Sequence, residues 1–204
     1  MLTGNPIRKE LKKIDKKIAL DFFGLNRNKF TLLVMGGSLG SHSINLGILK
    51  AASEISSRHR LQMIHLAGLG EYDLANRGYK NINIDIKLFG FLKDMRYAYN
   101  ACDLVICRAG ATTIAEIIFF ALPAIIIPYP FAYQHQLSNA KFLEDNGCAV
   151  IIADDKLDNC LLSETIEGLI NNPQEIKTMR YNYNRISQLS AVDALFKEVI
   201  SLNN

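Results

Sequence analysis

Disulfide and metal chemistry have little to work with in this sequence. Its four cysteines, Cys102, Cys107, Cys148 and Cys160, form no CxxC pair, and no His/Cys cluster at zinc-type intervals accompanies them. Most lie in apolar contexts, which predicts reduced, buried thiols of a cytosolic protein. The amino terminus, MLTGNPIRKE, lacks the apolar core of a signal peptide. Long hydrophobic runs are missing too. The most apolar stretch, residues 117–132, is broken by three prolines and is too short to span a bilayer as one helix, so it reads as a helix end followed by a buried strand. Strong charge of one sign is also absent. Net charge is +3 over 204 residues, and residues 8–17 (RKELKKIDKK) alone hold +4, so the remainder sums to −1. A nucleic-acid binder would carry more.

What is present is a chain with 49% hydrophobic residues, enough to bury the core of one globular domain. Short β-branched runs at residues 30–36, 61–67, 82–89, 103–107, 124–128 and 148–152 alternate with helix-like segments. That alternation predicts the α/β class: a Rossmann-like parallel sheet with helices on both faces. Several of the runs are apolar throughout, as strands buried on both faces are. Beyond residue 157 the pattern is helical, with Pro173 placed to start a helix. Residues 7–22 set Ile7, Leu11, Ile14 and Ile18 at helical spacing beneath a basic face, which suits a helix packed on its own domain or one lying on an anionic membrane. TGNP at residues 3–6 has the composition of a linker. No internal repeat or low-complexity segment is visible.

In open parallel sheets, ligands bind outside the carboxyl ends of the strands, so the loops there are the places to search. GGSLGS (residues 36–41) follows the strongest strand. Its glycines would let the backbone approach an anion, with Ser38 donating to a phosphate; a plain glycine turn with Ser38 capping the next helix fits equally. It is neither GxGxxG nor a P-loop with its lysine, which argues against a redox enzyme. CRAGATTIAEI (residues 107–117) puts a bare backbone at Gly110 and Ala111, hydroxyls at Thr112 and Thr113, and a carboxylate at Glu116 one turn further on. This suits a diphosphate and a ribose diol. TIAE (residues 113–116) equally fits a capping box, in which Glu116 returns to the cap backbone. PYPFAYQHQLSNA (residues 128–140) brings His135, Gln136 and Asn139 to the start of another helix. Amides and an imidazole there could read sugar hydroxyls or simply be solvated.

Taken in order, TGNPIR, GGSLGS, GFLKDM, CRAGATTIAEI and PYPFAYQHQLSNA resemble the carboxyl-terminal half of the MurG family, UDP-N-acetylglucosamine transferases of bacterial peptidoglycan synthesis. The resemblance covers nearly the whole chain. It implies the GT-B architecture, with residues 1–6 as interdomain linker and residues 7–204 as the domain binding the UDP-sugar donor. The implied roles are these. Arg8 approaches the nucleotide from the linker, and Ser38 contacts phosphate. Phe91 and Leu92 frame the uracil, the Leu92 backbone bonds the base, and Met95 packs nearby. Ala111, Thr112 and Thr113 line the sugar-phosphate, Glu116 holds the ribose hydroxyls, and His135 and Gln136 read the N-acetylglucosamine hydroxyls.

The implied reaction is inverting transfer of N-acetylglucosamine to lipid I, giving lipid II, with the protein peripheral on the cytoplasmic face of the bacterial inner membrane. No metal, cofactor or nucleic acid is implied. Leu39, Ser41 and His135 depart from the family's usual residues. The family's amino-terminal half, which carries the proposed histidine base, has no counterpart in this sequence, so the chain is expected to be a fragment, a truncated product or half of a split enzyme. It is expected to bind donor but transfer sugar poorly alone. A non-catalytic UDP-sugar module and a UDP-N-acetylglucosamine epimerase of similar architecture are the alternatives.

Overall fold

The structure is a computed structural model that describes residues 5–56, 59–132, 135–157 and 160–186. Among these residues, six parallel strands form one sheet: β1 (Phe30–Met35), β2 (Leu61–Leu66), β3 (Asp85–Phe89), β4 (Leu104–Cys107), β5 (Ala124–Ile126) and β6 (Ala149–Ile151), in the order β3-β2-β1-β4-β5-β6. All six fall within the β-branched runs of the sequence, and their ladders continue one residue further in places. Ala67 N–H donates to Phe89 O at 2.9 Å and Ile127 N–H to Cys107 O at 2.8 Å.

Among the described residues, eight α-helices cover the faces: α1 (Lys16–Phe23), α2 (His42–Ile55), α3 (Tyr72–Tyr79), α4 (Met95–Ala101), α5 (Ala111–Phe120), α6 (His135–Asp145), α7 (Leu161–Asn171) and α8 (Pro173–Asn182). Period-2 alternation survives inside the buried strands. Leu33, Met35, Ile64, Leu66, Val105 and Cys107 bury against α1, α4, α5 and α6, whereas Leu32, Val34, Leu61, Met63, Leu104 and Ile106 bury against α2, α3, α7 and α8. Pro173 is the first residue of α8, where its missing N–H costs nothing, and Asn172 caps it by accepting from Glu175 N–H at 3.2 Å.

The helix expected over residues 7–22 is half the length. α1 begins only at Lys16, because the Asp15 carboxylate takes the Lys17 N–H at 2.7 Å and so ends the extended segment as an N-cap. Upstream, residues 8–15 form a non-helical strap across α4. Asn100 accepts from Ile14 N–H and donates to Lys12 O, both at 3.0 Å. Leu11 is buried and Ile14 partly so, but Ile18 is exposed, so no single apolar stripe runs from residue 7 to residue 22. Residues 1–4, with the first part of the linker-like TGNP, lie outside the described residues. Cys102, Cys107 and Cys148 are buried free thiols, as their contexts predict, while Cys160 is exposed. Burial pushes Cys102 and Cys107 up to about 12, so both are neutral thiols at physiological pH.

One polar network inside the core sets the position of α2. Asn45 donates to Ala67 O at 3.0 Å, which leaves its amide oxygen to accept from His65 Nε2–H at 3.0 Å; His65 Nδ1 therefore accepts from the Tyr79 hydroxyl at 2.8 Å. Desolvation lowers the His65 pKa from 6.5 to about 4, so the ring is neutral and fully partnered. Above pH 6.5 this arrangement contributes its full stability. As pH falls, the unfolded chain takes up a proton that the folded one refuses until about pH 4. Unfolding followed by circular dichroism should lose on the order of 1 kcal/mol per pH unit across that window. His65→Gln should flatten the dependence; an unchanged profile in that variant would contradict the assignment.

Candidate functional site

The register aligns the carboxyl ends of all six strands: Met35 pairs with Leu66 and Cys107, Leu66 with Phe89, Cys107 with Ile126, and Ile126 with Ile151. Every loop singled out in the sequence therefore leaves the sheet at one rim. Strand order reverses between β1 and β4, and the helices that follow them, α2 and α5, pack on opposite faces. Open parallel sheets place their ligand crevice at such a switch point, which here is flanked by the two helix starts.

Arg108, one residue beyond β4, ties the crevice walls together. Its guanidinium donates to Ser41 Oγ at 2.7 Å, Ser43 Oγ at 2.8 Å and the carbonyls of Ile127 and Pro128 at 3.2 Å, and it pairs with Asp154 at 2.5 Å. The buried strand ends in a basic residue because that cation joins the start of α2, the β5 loop and the turn after β6.

In the β1–α2 loop, the glycines answer to packing. A Cβ on Gly36 would stand 2.3 Å from Ser41 N, and one on Gly40 would stand 2.1 Å from Ala67 O. Gly40 also has φ +81°, in the left-handed region. Gly40→Ala is expected to cost about 2–4 kcal/mol from backbone strain and overpacking together. It should lower Tm by roughly 4–16 °C for a domain of this size; a shift under about 2 °C in differential scanning calorimetry would show that the loop does not pack so tightly. The helix cap is Ser41, whose side chain accepts from Ile44 N–H at 3.5 Å. Ser38 caps nothing and lies exposed at the loop tip, which leaves its hydroxyl available to a ligand.

The start of α5 decides between the two sequence readings of TIAE. The N-cap is Gly110, three residues before Thr113, and no side chain caps the helix. A capping box on Thr113 and Glu116 does not form, because Gly110, extended at ψ 143°, has already begun the helix. Ala111, Thr112 and Thr113 are its first three residues, and their N–H groups have no partner within the helix. With the helix dipole behind them, they offer an open anion site. Asn5 reaches Thr112, donating to Oγ1 at 3.3 Å.

Glu116, in the second turn of α5, is buried. Its Oε2 accepts from the Tyr99 hydroxyl at 2.5 Å, and its Oε1 lies 3.5 Å from Arg8 Nη2. Burial, and next the charge of Glu116, push the Tyr99 phenol well above its usual value, so it stays protonated and donates. The carboxylate is thus fixed on one oxygen by a buried group and on the other by a half-exposed one.

The β3–α4 loop adds an apolar wall beside the crevice. Phe91 is exposed, Leu92 half-buried, and Met95 buried as the first residue of α4, which Asp94 caps by accepting from Arg96 N–H at 3.2 Å. On the far side, α6 begins at His135, which is exposed. Gln136 is more committed than its sequence context suggests. Its Oε1 accepts from Ala109 N–H at 3.1 Å and Tyr129 N–H at 3.0 Å, leaving only its NH₂ for a ligand. Asn139 donates to Ala109 O at 3.0 Å. Sequence reasoning missed Tyr99 and Asp154, whose partners lie 17 and 46 positions away on other elements and carry no local signature.

The family model for the glycosyltransferase family 28 C-terminal domain matches residues 31–195. Two curated relatives bear the name UDP-N-acetylglucosamine–N-acetylmuramyl-(pentapeptide) pyrophosphoryl-undecaprenol N-acetylglucosamine transferase. That of Desulforamulus reducens is 34% identical, over 96% of this chain and 55% of its own length. That of Thermodesulfovibrio yellowstonii is 37% identical, over 87% of this chain and 49% of its own. This chain therefore spans about half the length of the relatives it matches. Among solved structures, MurG of Acinetobacter baumannii superposes with a TM-score of 0.80 at 26% identity, covering 96% of this chain and 55% of that one. The glycosyltransferase SnogD of Streptomyces nogalater, at TM-score 0.61 and 16% identity, covering 90% of this chain and 46% of that one, shares the fold.

Proposed function

Because this chain belongs to the glycosyltransferase family 28 C-terminal domain family, we propose that it is the donor-binding half of an N-acetylglucosaminyltransferase that uses UDP-N-acetylglucosamine and makes lipid II from lipid I. The observation that carries the reading is the pairing of two helix starts, joined through Arg108, with a buried carboxylate in the second turn of one of them. The diphosphate lies across the N–H groups at the starts of α2 and α5, within reach of Ser38, Thr112 and Thr113. Glu116 accepts from the ribose diol, and Arg8, already beside Glu116, turns to the nucleotide. Phe91, Leu92 and Met95 frame the uracil, while His135 and the NH₂ of Gln136 meet the sugar.

In the reaction, the muramyl 4-hydroxyl oxygen attacks the anomeric carbon from the face opposite the diphosphate. The bond to the β-phosphate oxygen breaks, UDP leaves, and the configuration inverts. Charge grows on the departing diphosphate, where the helix-start dipoles are fixed beforehand and need no reorganisation. The hydroxyl proton passes to a base of an acceptor-binding half. His65 is unsuited to that role, being buried, neutral and bonded at both ring nitrogens.

No helix among the described residues is long and apolar enough to cross a membrane. The protein works at the cytoplasmic face of the inner membrane, where the basic run of residues 8–17 adds attraction to anionic lipid of about 1 kcal/mol for each cation near the surface. The reading is tested by incubating the chain with radiolabelled UDP-N-acetylglucosamine and a lipid I analogue, alone and with an acceptor-binding half of a relative. Lipid II should form only in the mixture. Robust turnover by the chain alone, or none in either case despite donor binding, would overturn the proposed division of labour.

A further inference from the structure

We infer that Tyr99 is a positioning residue for nucleoside recognition: through its hydroxyl it holds the Glu116 carboxylate in place, with Oε1 left for the ribose diol. This rests on the nucleotide reading of the site and adds to it a group that does not touch the ligand. A glutamate side chain has three rotatable bonds, and an unheld carboxylate would spread over many rotamers. Here one oxygen is fixed by a short charge-assisted bond of 2.5 Å from a hydroxyl that is itself buried. The phenol cannot drift, since its ring stacks on Phe120 with centroids 5.0 Å apart. Among the described residues, the second oxygen, Oε1, has Arg8 as its ion-pair partner, 3.5 Å away on a side chain that is 54% exposed, so Oε1 is the oxygen a diol reaches once Arg8 turns aside.

The placement of Tyr99 also couples two parts of the site. It stands four residues after Met95, on the same side of α4. The helix whose first residue closes the base pocket thus carries, one turn on, the hydroxyl that holds the ribose carboxylate of α5. Base and sugar recognition are set by one rigid element, and a shift of α4 would be felt at both.

The probes are UDP and 2′,3′-dideoxyuridine diphosphate, titrated calorimetrically into the whole chain. The native protein should bind UDP more tightly than the dideoxy analogue. Tyr99→Phe keeps the stacked ring and removes only the donor, so it should weaken UDP by about 5–10-fold while moving the analogue by less than about 2-fold. In a Glu116→Ala background the same substitution should change neither. Equal weakening of both ligands, or no weakening of UDP, would overturn the inference and leave Tyr99 as packing. Should Tyr99→Phe not fold, Phe120→Leu serves instead: loosening the ring should weaken UDP, but not the analogue, by roughly 2–3-fold, and equal effects would again overturn the role. A native protein that binds the two ligands equally well removes the ribose role alone, and with it this inference. Failure to bind either overturns the nucleotide reading as well.

Discussion

Glu116→Ala is expected to reduce affinity for UDP about 100-fold, the largest binding loss of any single side chain in the site. Two ribose hydroxyls bonded to a carboxylate contribute about 1.5 kcal/mol each at the lower end for charged partners, and ~3 kcal/mol corresponds to roughly two orders of magnitude in Kd. Stability should move far less, because two effects oppose. The Tyr99 hydroxyl loses its acceptor, costing ~1–3 kcal/mol, but a buried carboxylate whose other neighbour is a half-exposed arginine no longer has to be desolvated. Calorimetric titration beside a thermal melt separates the two. Unchanged UDP affinity with a lowered Tm would assign Glu116 to the fold rather than to the ligand.

Arg108→Met should produce the largest loss of stability, about 3–5 kcal/mol, as expected when one partner of a largely buried ion pair is removed and the other stays. Asp154 keeps a bond from Ser43 Oγ at 2.8 Å but loses its cation, and the carbonyls of Ile127 and Pro128 lose the donor that satisfies them. Methionine fills the stem and none of the fork. The denaturant midpoint should fall accordingly, and UDP binding should weaken with it, because the start of α2 and the β5 loop are no longer tied to β4. Adding Asp154→Leu to Arg108→Met should recover part of the stability, since the stranded charge is then gone. A single substitution costing under about 1 kcal/mol, in the range of an exposed pair, would show that this cation does not hold the crevice walls.

These two side chains also mark where the sequence was legible. The strands were, because each lies in a short run rich in β-branched and other apolar residues, closed by a glycine, a proline or a change of polarity. So was the rim, because strand–loop–helix order in a parallel sheet puts all such loops at one edge. The failures came where a local pattern had a stronger local rival or a distant partner. Ile7, Leu11, Ile14 and Ile18 keep helical spacing, yet Asp15 caps at Lys16 and Asn100 takes up the backbone of the strap before it. TIAE matches a capping box, but Gly110 starts the helix three residues earlier. Gln136 looks like a free amide, and its oxygen is spent on two backbone N–H groups that only the folded loops bring to it. Arg108 and Tyr99 act on partners in other elements, which no window of sequence contains.

Chemical-shift mapping of the ¹⁵N-labelled chain during titration with UDP addresses the site itself. Saturable shifts should concentrate at residues 38–41, 90–95 and 110–116, three segments far apart in sequence, two loops and a helix start, that meet at the rim of the sheet. Saturable shifts confined to another surface, or none at millimolar UDP, would mean that the helix starts of α2 and α5 do not form a receptor for uridine diphosphate.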